Sequence, residues 1–265
     1  MIIKYIKIII KKILKKFNIS IFTNIPKRRL LKFIELLKPH DLGYDLIRIG
    51  DGNEAGYLVP NILDKIKYCF SPGVGQSSQF ESDLEKRGIK SYLADFSVDK
   101  VENLKISSFL KKNINSYNSK NTICINDWIE QNSSEYEENF LLEMDVDGSE
   151  FEILSSITEK NLKRFGILVI EFHYFELIAH EAFFKIYFPL IEKIRDSFEV
   201  SHLHPNNACP LIEASGVEFP SGLEVTFLNK KFVKEKKKIK SLPHKLDKKC
   251  IIGKDDIFLP SYWYN

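Results

Sequence analysis

Between residues 66 and 229, short apolar runs alternate with longer stretches that read as helices. Residues 66–71 (IKYCFS) form the first run, which ends in Ser-Pro-Gly, and a helix is expected from near Gln79. Residues 90–95 (KSYLAD) form the second. A polar stretch of helical character then precedes a third run at 122–126 (TICIN). Residues 140–146 (FLLEMDV) make a fourth, with a helix from about Glu150, and residues 166–172 (GILVIEF) a fifth, highly apolar one. The segment 176–195 places aromatic and aliphatic residues on one helical face, and 198–203 and 223–228 suit a closing pair of strands. Strands alternating with helices over about 160 residues specify an α/β fold with a parallel, doubly wound sheet.

The chain has 265 residues, enough for one large domain or two small ones. Its 44% hydrophobic and 28% charged content is too apolar for a disordered chain. The net charge of +3 conceals a division along the sequence. Residues 1–34 hold ten lysines and arginines and no acid, and residues 230–249 hold ten lysines against Glu235 and Asp247. The rest of the chain therefore carries a net charge of −15. An acidic body with two basic ends excludes a uniformly basic nucleic-acid binder and leaves open a basic patch facing a membrane or a polyanion. The expected division is residues 1–34 as a basic N-terminal helix and extension, 35–229 as the α/β domain, and 230–265 as a lysine-rich linker with a tail. The aromatic end of that tail, SYWYN, suggests docking on the body.

No run of about 18 uncharged apolar residues is present, so no transmembrane helix is expected. Lys4, Lys7, Lys11 and Lys12 also interrupt any signal-peptide core. Within residues 2–17, isoleucines, Leu14 and Phe17 share one helical face while six lysines share the other. Such a helix can lie on an anionic membrane surface, or it can pack on the protein itself or on a second copy in a homo-oligomer. The four cysteines, Cys69, Cys124, Cys209 and Cys250, form no CxxC pair and read as buried small hydrophobes in a reducing, cytoplasmic setting.

Ligands of doubly wound folds bind beyond the strand ends near the switch in strand order. The first such end here is Phe70-Ser71-Pro72-Gly73-Val74-Gly75. Gly73 and Gly75 allow a sharp turn and close ligand approach, which a plain strand-to-helix turn would also use. The turn lacks the third glycine of GxGxxG and the lysine of a P-loop. Asp95 follows the turn by about 20 residues, the place of an acid that binds the hydroxyls of a ribose in either NAD or S-adenosylmethionine. A helix N-cap is the alternative.

The block LLEMDVDGSEFEIL, preceded by TICINDWIE and followed by GILVIEFH, resembles the FkbM family of methyltransferases. The family pattern runs Thr-x-(Leu/Ile)-Asp, then Lys-Ile-Asp-Val-Glu-Gly-x-Glu, then a strand ending Glu-x-His. Here Asn126 takes the place of the first Asp, with Asp127 after it. Met144 to Glu150 fill the second element, with Asp147 for the usual Glu, and Ile170 to His173 fill the third. Ser71 stands where the family's first strand ends in an acid. The segment Arg48 to Pro60 resembles a variant subgroup.

The resemblance implies a seven-stranded Rossmann-like methyltransferase sheet, mostly parallel with helices on both faces, and S-adenosylmethionine as cofactor. Ser71, Gly73 and Gly75 would border its methionine end, Asp95 its ribose and Phe96 its adenine, with Asn126 or Asp127 at the adenine edge. Asp145 would orient the acceptor or act as a base, and His173 is a candidate general base for a hydroxyl. Asp145 and Asp147, with Glu150, are hard oxygen donors that also suit Mg²⁺; for Glu150 a first-turn helix acid is the simpler reading. His202 and His204 could face the acceptor or serve turn chemistry with Pro205 and Asn206.

These expectations describe an O-methyltransferase acting on a carbohydrate or glycolipid acceptor, with no nucleic-acid partner, at the inner face of a membrane if residues 2–17 bind lipid. The alternative is a non-catalytic binding or scaffold protein on a degenerate methyltransferase fold.

Overall fold

The computed structural model describes residues 10, 14, 16, 17, 23–50, 56–75 and 77–265. The amphipathic pattern expected over 2–17 otherwise lies outside the described residues. Seven strands form one sheet: β1 (Tyr68–Pro72), β2 (Lys90–Ala94), β3 (Ser108–Leu110), β4 (Phe140–Met144), β5 (Phe165–Phe172), β6 (Phe198–Pro205) and β7 (Leu223–Asn229). Their spatial order is β3-β2-β1-β4-β5-β7-β6. The first five pair in parallel. β7 runs antiparallel to both β5 and β6, so the expected closing pair forms. The order switches at β1, which has β2 on one side and β4 on the other. The crevice above these strand ends is where such sheets bind ligands.

Helices among the described residues from 23 onward accompany the sheet: α1 (Lys27–Leu37), α2 (Gln79–Glu85), α3 (Ile125–Asn132), α4 (Glu150–Ser156), α5 (Glu159–Lys163) and α6 (Glu181–Ser197). Side chains alternate between the faces of a strand, so the uniformly apolar strands feed two cores. On one face Phe70, Leu142, Leu168 and Ile170 pack with Phe33 of α1, Trp128 of α3, Phe151 of α4 and Ile191 of α6. On the other, Cys69, Leu141, Ile167 and Val169 pack with Phe80 and Leu84 of α2 and with Ile49, Tyr57 and Val59. The last three belong to an antiparallel hairpin of Leu46–Ile49 and Tyr57–Pro60. The paired strands Leu46–Ile49 and Tyr57–Pro60 thus cover one face of the sheet, and Thr226 Oγ1 donates to Leu58 O across that contact (2.7 Å).

Three expectations are corrected. The third strand of the sheet is Ser108–Leu110, inside the stretch that reads as helical. Thr122–Cys124 instead pairs in parallel with Asn113–Asn115 in a separate ladder. A three-residue edge strand with Ser108 exposed shows no apolar periodicity to read. The cysteines carry free thiols, but only Cys69 is buried; Cys124, Cys209 and Cys250 are half-buried. The helix expected over 176–195 is two elements, a 3-10 turn at Phe175–Ala179 and then α6.

The C-terminal stretch follows the body. Lys237–Lys238 pairs with His40–Asp41. Trp263 is fully buried, and its indole N–H donates to Glu218 O at 3.1 Å. No helix among the described residues is long and apolar enough to cross a membrane.

Candidate active site

The chain turns sharply after β1, with Gly73 at φ +87° and Gly75 at φ +57°, values that favour glycine. Gly73 N donates to Ala94 O of β2 (2.9 Å), and Asp145 N donates to Pro72 O (3.4 Å). A Cβ on Gly73 would lie 1.7 Å from Asp145 O, so only glycine lets the turn touch the end of β4. Asp95, buried at the end of β2, accepts from Gly75 N through Oδ2 (2.9 Å) and from Ser97 N through Oδ1 (2.7 Å). It fixes the turn from the side, and no helix follows it to cap. Phe96, next to it, is 40% exposed.

The alternation that builds the two cores also sorts the acids. On β1, β4 and β5 it puts Ser71, Glu143 and Glu171 on the face of the hairpin and α2, beside Cys69, Leu141 and Val169. The Ser71 hydroxyl lies between two buried carboxyls, hydrogen-bonded to Glu81 Oε1 of α2 and to Glu143 Oε2 (2.7 Å). One hydroxyl proton serves one carboxylate, so the second bond needs a proton on the other carboxyl. Burial pushes Glu81 up to about 7. Burial and then the charges of Glu81 and Asp145 hold Glu143 well above the usual carboxylate range. Glu171 accepts from Tyr57 Oη (3.1 Å) and Asn206 Nδ2 (2.5 Å). Burial, followed by Asp145 and Glu224, raises it to about 8.

Just beyond these strands stand Asp145, after β4, and His173, after β5. Glu150, the fully buried first residue of α4, accepts from Gly148 N (2.9 Å) and meets His173 Nδ1 at 3.0 Å. This contact aims Nε2 at Asp145 Oδ1 and Glu171 Oε1, both 3.8 Å away, and at Asp147 Oδ1, 4.0 Å away. Burial pulls the imidazole down, but Glu150, Asp145 and Glu171 outweigh it and raise His173 to about 9. Burial raises Asp145 to about 6 against the opposing charge of His173. Asp145, Glu171 and His173 bring donor atoms within 4.8 Å of one another, the spacing of a cation site. At neutral pH the imidazolium itself supplies a positive charge among these carboxylates. Asp147, at φ +53°, turns a fully exposed side chain to solvent.

A cavity of about 220 Å³ opens over the turn, lined by Gly73, Val74, Gly75, Asp145, Asp147, Glu81, Glu143 and Tyr57 among others. The structure thus brings together Gly73, Gly75, Asp95 and Asp145, with His173 adjoining and Ser71 beneath. It does not bring Asn126 or Asp127 there. Asn126, in α3, donates to Ser156 O (2.9 Å) and accepts from Thr158 N (2.9 Å), joining α3 to the start of α5. Asp127 accepts from Asn118 Nδ2 (2.5 Å). His202 and His204 are buried, against Asp247 at 2.8 Å and between Glu224 and Asp256. They hold the C-terminal segment on β6, a role neither sequence reading anticipated.

Four site residues escaped the sequence reading. Glu143 and Glu171 were signalled as lone acids in apolar strands, and Glu143 also stands where the family pattern has lysine. Tyr57 lay in the unassigned Arg48–Pro60 segment. Glu81 carried no signal, because a first-turn helix acid reads as a solvated one.

A sheet of this order, with β7 alone reversed and a glycine turn after β1, is a Rossmann-like methyltransferase fold. The chain belongs to the FkbM methyltransferase family, whose domain matches residues 53–199. Methyl transfer is the chemistry of that domain. Among solved structures, a candidate RNA methyltransferase from Pyrococcus horikoshii is similar over 76% of this chain and 98% of its own, at 13% identity and a TM-score of 0.33. At that distance its function does not transfer. No curated protein matches the chain.

The two glycines make separable demands. Gly75→Ala meets no atom within 4 Å and should cost only the left-handed backbone penalty, about 1–2 kcal/mol. Gly73→Ala must displace the Asp145 carbonyl and should cost clearly more. Urea denaturation of both variants checks this, and equal losses would contradict it.

Proposed function

We propose that the chain is an S-adenosylmethionine-dependent O-methyltransferase that methylates a hydroxyl of a sugar in a surface glycan or glycolipid. The observation that carries this reading is the placement of Asp145 and His173 on adjacent strand ends, beside the glycine turn, with His173 fixed by buried Glu150. The cavity suits the donor in two respects. Gly75 presents no Cβ to it, and its described lining is acidic, with no lysine, arginine or histidine, which matches the net positive charge that sulfonium and ammonium leave against the donor's single carboxylate. When bound, S-adenosylmethionine supplies an electrophilic methyl group.

The chain's own residues then have two tasks, to align the acceptor hydroxyl and to take its proton. Asp145, ionised above about 6, is the group able to accept a proton at neutral pH. His173, an imidazolium up to about 9, faces that carboxylate and orients it. In this reading the base is Asp145, and His173 is its positioning partner. The sugar class rests on the family resemblance. A lipid-linked acceptor would place the chain at the inner face of a membrane, where the lysines of residues 2–17 suit anionic headgroups.

Mass spectrometry of surface glycans from cells with and without the gene tests the reading. One CH₂ should be lost from a sugar when the gene is removed; identical glycans contradict the proposal. With that acceptor in hand, the rate should rise as pH passes about 6 and fall above about 9, the two limbs belonging to the coupled pair. Asp145→Asn should lower the rate by about 10²–10⁴ and remove the acid limb. A variant with unchanged rate would assign the proton transfer elsewhere.

A further inference from the structure

The scheme above leaves the buried pair Glu81 and Glu143 without a task. Both side chains are almost fully buried, yet both line the cavity over the glycine turn. They come from different elements. Glu81 is the third residue of α2, and Glu143 lies on β4 with its side chain turned toward α2 by the strand's alternation. Ser71 joins them from the end of β1 through one oxygen of each carboxyl. The described residues that line the cavity include no basic side chain. Two carboxyls buried together are tolerated only with a proton held between them or with a cation. Their placement on the lining of an open cavity lets a cation enter and take the place of that proton.

We propose that Glu81 and Glu143, linked by Ser71, seat the ammonium group of the methionine half of the methyl donor. This rests on the S-adenosylmethionine reading given above and adds a specific recognition site to it. An ammonium has three N–H donors and no acceptor, so it suits two carboxyls that converge on one point from different elements. The position also fits the direction of the reaction. Asp145, just past the end of β4, must meet the acceptor, so the sulfonium belongs near Asp145 and the amino-acid end toward Glu81 of α2. The sequence departs from the family pattern at the same place. Ser71 replaces the acid at the end of β1, and Glu81 and Glu143 restore negative charge around it from two neighbouring elements.

Calorimetric titration of the full-length protein with four probes tests the assignment: S-adenosylmethionine, S-adenosylhomocysteine, deamino-S-adenosylhomocysteine and 5′-methylthioadenosine. The last two lack the amino group. Wild-type protein should bind S-adenosylhomocysteine at least about tenfold more tightly than its deamino analogue. Glu81→Gln should weaken both amino-bearing ligands by at least about tenfold and change 5′-methylthioadenosine by less than about twofold. Equal affinity of wild-type protein for the amino-bearing and deamino compounds overturns the proposal, and this comparison does not depend on a variant folding. A parallel loss of all four ligands in Glu81→Gln also overturns it, because it shows a purely structural pair. Binding of none of the four by wild-type protein overturns the donor reading itself, and this seat with it.

Discussion

The close approach of Gly73 to the carbonyl of Asp145 is the contact on which the site depends. It joins the end of β1 to the end of β4, the two strands that flank the switch in strand order. Gly73 N also reaches Ala94 O at the end of β2, and Asp95 holds Gly75 two residues on. Three strand ends are thereby drawn to one point. No side chain can be inserted there, so the turn lies low and leaves a cavity above it. Every other feature of the site, from the acids beneath to the carboxylate–imidazole pair at the rim, is placed relative to that turn.

The alternation of side chains along β1, β4 and β5 then determines which chemistry lies where. One set of positions is apolar throughout and feeds the larger core. The other begins apolar, with Cys69, Leu141 and Val169, and ends polar, with Ser71, Glu143 and Glu171. The polar ends fall beneath Tyr57 of the hairpin and beside α2, which shield them from water. Shielding makes these acids hold protons more tightly than usual, and it raises the value of any positive charge among them. His173 supplies one such charge at the rim, kept by the buried Glu150.

Much of this was legible in the sequence. The uniformly apolar runs carried the parallel sheet, and the DVDGSE and Glu-x-His blocks carried the family and the pair Asp145 and His173. Other parts were hidden for physical reasons. A three-residue edge strand at Ser108–Leu110 has no periodicity, so the TICIN run reads as the third strand, and the family resemblance implies a cofactor contact for Asn126 at its end. In the fold Asn126 serves a helix junction. Ser71 read as a lost acid because its neighbours Glu81 and Glu143 are 10 and 72 residues away in sequence and meet it only through α2 and β4. His202 and His204 looked like rim residues, but their partners Asp247 and Asp256 lie in the C-terminal stretch, whose path no local pattern reveals.

The cavity over the glycine turn is proposed as a methyl-donor site with an acidic inner wall. A crystal structure of the full-length protein with S-adenosylhomocysteine tests this most directly. The account predicts the homocysteine moiety over Gly73 and Gly75, its sulfur toward Asp145 and its amino group within hydrogen-bond reach of Glu81 or Glu143. Ligand bound elsewhere on the chain, or bound there with its amino group directed away from both carboxyls into solvent, would contradict it.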